Sequence, residues 1–135
     1  MTQITVDELT KELTKLTKLK PKEALRFIAA ISGSLDHELV QRAQHPKLVQ
    51  ISIPEQANVF TLGIVPENAL VDSVYASTGL PRQQVRDYLH YLDASLRPRL
   101  QYLQEPVELE GFGRIAQQGG QLTYEPIAFK NLPRS

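Results

Sequence analysis

The side chains of this sequence that can do chemistry are chiefly its cations, with a few imidazoles and phenols beside them. Lys11, Lys15, Lys18 and Lys22 recur at intervals of four, three and four, which on a helix places them along one side. Such a row can contact phosphates, or it can be a solvated face whose lysines pair with Asp7, Glu8 and Glu12 at helical spacing. Arg82, Arg86, Arg97, Arg99 and Arg114 form a second set. Arg82 and Arg86 stand one helical turn apart. Arg97-Pro98-Arg99 is expected where a helix breaks, and a planar guanidinium fork there can hold a phosphate bidentately. Surface ion pairing with Asp87 and Asp93 is the competing reading. Of Tyr75, Tyr88, Tyr91 and Tyr102, Tyr88 holds a repeat-matched core position, so Tyr91 and Tyr102 remain as faces on which single-strand bases can stack; half-buried tyrosines at the seam between the units are the competing reading.

Catalysis finds no support in the motifs. His37, His45 and His90 are scattered, and none falls in a His-Glu-x-x-His metal spacing. Asp36-His37-Glu38 is contiguous, so on a helix its three side chains point in different directions. Phosphate-binding loop, dinucleotide fingerprint and nucleophile elbow are all missing. The expectation is a protein that is not an enzyme, with no metal, no cofactor and no small-molecule substrate.

The elements that position these residues come in two matching sets. Leu9, Leu13, Leu19, Ala24, Phe27, Ile28, Ile31, Leu35, Leu39 and Leu48 stand, at an offset of 61 residues and without a gap, opposite Leu70, Val74, Leu80, Val85, Tyr88, Leu89, Leu92, Leu96, Leu100 and Leu109. Apolar positions matched in register over that length point to a duplicated helical unit, here residues 1–66 and 67–135, folded as one intertwined body.

In the first unit, Thr5-Val6-Asp7-Glu8 is a capping-box pattern, and Val6, Leu9, Leu13 and Leu16 then recur at helical spacing. Lys20-Pro21 interrupts, and a second helix is expected from about Pro21 to about Ala43, ended by His45-Pro46. Lys47–Ile53 and Asn58–Val65 read as strands. In the second unit, Asn68 is the expected cap of a helix over about 69–77 that stops at Thr78-Gly79, and Pro81 opens the next. Pro98 should kink or divide that helix before Leu100. Strand signals follow at Val107–Leu109, Arg114–Gln117 and Gln121–Phe129, the last two joined by the hairpin signal Gly119-Gly120. The fold class expected is α+β, with two helices and a small antiparallel sheet in each unit.

Composition sets the remaining bounds. The 135 residues carry 15 Lys plus Arg against 15 Asp plus Glu, so no global field draws the chain to nucleic acid or anionic lipid. Division at Pro66 leaves both parts near neutrality. There is no cysteine, hence no disulfide framework. The start lacks a basic region followed by an apolar one, and no stretch approaches the length of a membrane span, so a cytoplasmic protein without membrane contact is expected.

Thr78-Gly79-Leu80 ahead of a helix, followed by Val107-Glu108-Leu109-Glu110-Gly111-Phe112-Gly113-Arg114, resembles the bacterial histone-like HU and IHF family. The resemblance covers roughly Asn68 to Ile115, and the first unit only through the offset pattern. It implies an intertwined dimer made single-chain, as a pseudodimer similar to the paired HU-like modules at the start of some larger bacterial proteins. Phe112 is expected to fill the core while its flanking glycines make the turn. The family binds DNA through long basic β-arms tipped by a proline wedge. Here the matching segment, Arg114 to Tyr124, has one cation and no proline, and Ile53 to Val59 in the first unit has no cation. The expectation is therefore weak, non-specific DNA association through body contacts without bending, using Lys11, Lys15, Lys18, Lys22, Arg82, Arg86, Arg97, Arg99 and Arg114. The alternative is a protein-interaction or self-association module that engages its partner along a sheet edge at Tyr124, Ile127 and Phe129.

Overall fold

The structure, a computed structural model, describes residues 2–42 and 48–126. Strand β1 (Thr2–Ile4) leads into helix α1 (Val6–Leu16), and α2 (Pro21–Arg42) follows after a short turn. Strand β2 (Val49–Ile51) and a 3-10 turn at Val59–Thr61 connect to α3 (Glu67–Thr78) and α4 (Arg82–Gln101). Strands β3 (Val107–Leu109), β4 (Gly113–Gln118) and β5 (Gln121–Pro126) complete the chain. The fold is α+β, four helices and one five-stranded mixed sheet that share a single hydrophobic core.

The helices form for the reasons the sequence offers. Thr5 caps α1 by accepting from the Glu8 amide at 3.1 Å, and Val6, Leu9 and Leu13 turn inward. Leu16 does not; it lies 46% exposed because α1 ends at that residue. Gly79 closes α3 in the left-handed conformation, φ 74°, its amide bonded to the Tyr75 carbonyl. The expected Asn68 cap is replaced by Pro66, one residue before the helix starts. Pro98 neither divides nor ends α4. Ala94, whose carbonyl loses its amide partner to the proline, is exposed, while Leu96 and Leu100 are fully buried and hold the last turn in place.

Two sheets were expected, and one is present. Its order is β1-β3-β4-β5-β2, with β1 parallel to β3 and the other pairs antiparallel. The meander of β3, β4 and β5 is thus flanked on both sides by strands from the first 66 residues. The segment expected as a strand at Asn58–Val65 is a 3-10 turn. The Asn58 side chain accepts from Phe60 N, and Leu62 and Gly63 both take positive φ, so the backbone bonds close locally instead of along a ladder. The Gly119-Gly120 hairpin is as anticipated, Gln118 paired with Gln121 and both glycines at positive φ.

All core positions in the two offset series are buried except Leu19 and Leu80, which pack against the core partly exposed, and Leu48, which is 51% exposed where its counterpart Leu109 is 3%. The interior is continuous across the chain. Phe27 and Tyr88, which occupy matching positions of the two series, meet edge to face with ring centroids 5.2 Å apart. Phe60 stacks on Phe112 at 5.3 Å, so Phe112 lies in the core as expected. Gly113 is required by close approach: a Cβ there would stand 2.5 Å from the Glu125 carbonyl oxygen.

Candidate nucleic-acid interface

The turn between α1 and α2 gathers most of the first unit's cations. Thr17 closes α1 by donating to the Leu13 carbonyl at 2.7 Å while accepting from Leu19 N at 3.1 Å. Lys20 precedes α2, and its amide donates to the Glu23 carboxylate at 3.0 Å, which occupies that carboxylate in capping the helix. Lys15, Lys18, Lys20, Lys22 and Arg26 are all exposed and have no side-chain partner among the described residues. Over residues 11–26, six cations stand against two carboxylates, a net charge of +4. Lys11 is the exception, held by Asp7 at 3.0 Å on the flank of α1. The four lysines therefore do not share one helix face. Lys11 and Lys15 lie on α1, Lys18 in the turn and Lys22 in the first turn of α2, so Lys15, Lys18 and Lys22 stand at the turn between the helices while Lys11 lies mid-helix.

The second unit repeats this turn's bonds without its charge. Thr78 donates to the Val74 carbonyl at 2.8 Å and accepts from Leu80 N at 3.2 Å. Residues 72–87, which match 11–26, carry two cations and two carboxylates. Arg82 donates to Asp72 at 2.7 Å and its guanidinium lies 4.1 Å from the centre of the Tyr75 ring. Donation to the Asp72 carboxylate is the chief cause that holds the Arg82 guanidinium pKa above its ordinary value. Arg86 lies half-buried in a polar cleft of about 440 Å3 that Glu55, Glu67, Asp87, His90 and Asp93 also line.

Arg97 is a strut of the fold. It donates to both oxygens of Asp93, at 3.2 and 2.9 Å, to the Ala57 carbonyl at 2.7 Å and to the Pro54 carbonyl. Asp93, in turn, accepts from Val59 N at 2.8 Å, and Asn58 donates to the Leu89 carbonyl at 2.8 Å. The network pins residues 54–59 to α4, with the guanidinium satisfied inside the protein. Arg97-Pro98-Arg99 thus lies in a continuous last helical turn rather than at a helix break, and of the two readings of this segment Arg97 takes the ion pair, with Asp93, and not the phosphate grip. Arg99 is paired with Glu8 across the α1–α4 contact at 3.0 Å. Arg114 is exposed on β4, but the register sets Glu108 and Glu125 directly opposite it on the two neighbouring strands.

The tyrosines do not form a stacking platform. Tyr88 is buried, Tyr75 is covered by Arg82, Tyr91 is half-buried beside His90, and Tyr102 is 80% exposed on its own after α4. The expected sheet edge at Tyr124 is not an edge. Strand β5 lies between β4 and β2, Tyr124 pairs with Ile115 and Val49, and its ring is 3% exposed in the core. Burial, with the Asp36 carboxylate adding to it, raises the Tyr124 phenol well above its ordinary value. Ile127 and Phe129 lie outside the described residues, as does His45-Pro46. The edges are β1 and β2, three residues each, and beyond Ile51 the Ser52 amide is already bonded to the Leu62 carbonyl.

Lys20 and Arg26 belong to the exposed cationic group although the helical spacing of the lysines does not include them. Their signal is local charge density, which a periodicity search does not read. Among the described residues no group of three metal-ligating side chains assembles, and no helix is long and apolar enough to cross a membrane. Comparison of the chain with protein-family models, curated proteins and solved structures finds no match.

Proposed function

We propose that this chain is a non-catalytic scaffold of the HU type, two helical units fused into a pseudodimer, that associates weakly and without sequence specificity with nucleic acid through its helical body. The observation that carries the reading is the set of exposed cations at Lys15, Lys18, Lys20, Lys22 and Arg26, without partners among the described residues, in a chain whose total charge is zero. Lysine is a compact, strongly hydrated point charge that neutralises phosphate without fixing geometry, so it supplies attraction and no base readout.

The duplication is supported by details that repeat at the same offset. Helices α1 and α2 begin 61 residues before α3 and α4, both interhelix threonines make the same two bonds, and Phe27 touches its own counterpart, as residues on the axis of an isologous pair do. Bending by arms is not part of the proposal. The β4–β5 hairpin is six residues a side, and from Gln117 to Gln121 it carries no charge.

A protein-interaction role is the second reading, and the observation favouring it is the isolated, 80% exposed Tyr102 at a groove of about 670 Å3 beside β2, lined also by Ile51, Ile53 and Leu122. Fluorescence anisotropy with a labelled duplex and a labelled single strand, at low and moderate salt, separates the two. Micromolar, salt-sensitive binding is expected. Absence of binding at low salt would end the nucleic-acid reading and leave the groove as the surface to pursue.

A further inference from the structure

The two interhelix ends are built on the same bonds but carry different charge, and that difference bears on how a polyanion is held. The inference rests on the nucleic-acid reading above and narrows it to one surface. We infer that the chain grips the sugar-phosphate backbone of duplex nucleic acid at one end only, through Lys15, Lys18, Lys20, Lys22 and Arg26, and that the matching end of the second unit takes no part.

Among the described residues, each competing cation of the second unit is occupied or opposed. Arg97 is satisfied by Asp93 and two carbonyls, Arg99 by Glu8, Arg82 by Asp72 and the Tyr75 ring, and Arg114 faces two carboxylates in register. Arg86 shares its cleft with four carboxylates. At the first end the two nearby carboxylates are Glu12 and Glu23, and Glu23 is engaged with the Lys20 amide.

The occupant follows from what the patch contains and lacks. It is cationic, and the one aromatic residue next to it in sequence, Phe27, is fully buried, so no adjacent aromatic ring offers a face to a base. Duplex carries one phosphate charge per about 1.7 Å of axis, more densely than a single strand, and a stacking-free cationic surface therefore favours duplex of equal length.

The test is anisotropy with a labelled duplex of mixed sequence at several salt concentrations, comparing the wild type, the triple variant Lys18→Gln/Lys20→Gln/Lys22→Gln and the double variant Arg86→Gln/Arg114→Gln, with unchanged thermal midpoints confirming folding. The expected result is a loss of tenfold or more in affinity for the triple variant, a salt slope shallower by about 3, and no change for the double variant. Wild-type binding that the triple variant leaves intact, or that the double variant weakens as much, overturns the one-ended grip while the nucleic-acid reading stands. Wild-type protein that fails to bind duplex at low salt overturns both.

Discussion

At the first interhelix turn Thr17 bonds to Leu13 and Leu19, and at the second Thr78 bonds to Val74 and Leu80, yet five exposed cations, without partners among the described residues, surround the first turn and the leading cation of the second, Arg82, is paired. The backbone geometry of the turn therefore does not depend on the charges around it. In a symmetric dimer, every surface change appears twice. On the proposed duplication, fusing the halves would remove that coupling, so one end could keep or gain cations while the other loses them, and the shared core would remain under a common packing constraint. The sheet shows the same freedom. The second unit supplies a three-stranded meander, the first only one strand at each border.

The shared core is where the two halves should behave alike, and breaking it should cost most. Phe27→Ala and Tyr88→Ala each delete one ring of the same edge-to-face contact and should each destabilise by about 3–5 kcal/mol in denaturant titration. A large imbalance between them would show that the contact is not shared equally. Next in size is Arg97→Ala, which leaves the Asp93 carboxylate, 12% exposed, with Val59 N as its remaining partner. About 2–4 kcal/mol should be lost, with duplex affinity of the folded protein unchanged. If affinity falls without loss of stability, Arg97 is a contact residue and its role as a strut is wrong.

The turns themselves allow a matched comparison at lower cost. Thr17→Ala and Thr78→Ala each remove one hydroxyl that both donates and accepts, and each should lose about 0.5–1.5 kcal/mol. Equal losses would support equivalence of the two ends; unequal ones would sharpen where they have diverged. The smallest effect concerns pH. Because the folded Tyr124 phenol is held above its ordinary value of 10.0, its contribution to stability is whole below about pH 10 and declines as pH rises beyond it, where the unfolded chain ionises and the folded one does not. Tyr124→Phe should remove that part of the alkaline slope in chemical denaturation measured across pH 9–11.

The helices were legible because their apolar residues repeat at 3.6 and their ends are marked by Thr5, Gly79 and Pro81. The border strand β1 was not, since Thr2-Gln3-Ile4 is too short to show a period and pairs with Val107–Leu109 more than a hundred residues away. Asn58–Val65 reads as a strand because Val59, Phe60, Leu62, Ile64 and Val65 are apolar and mostly branched or aromatic; the Asn58 cap and Gly63 turn chemistry prevail over that propensity. Within the candidate site, the lysine row was visible and its place at a chain reversal was not. The internal role of Arg97 depends on carbonyls at Pro54 and Ala57, which no local pattern connects to it.

The most direct measurement is backbone amide NMR of the intact chain during titration with a short duplex at low salt. The one-ended account predicts perturbations concentrated in residues 15–26, fading as salt is raised, with residues 76–87 and the β4–β5 hairpin unmoved. Perturbations centred on the second interhelix end or on the sheet, or no perturbation in residues 15–26, would contradict it.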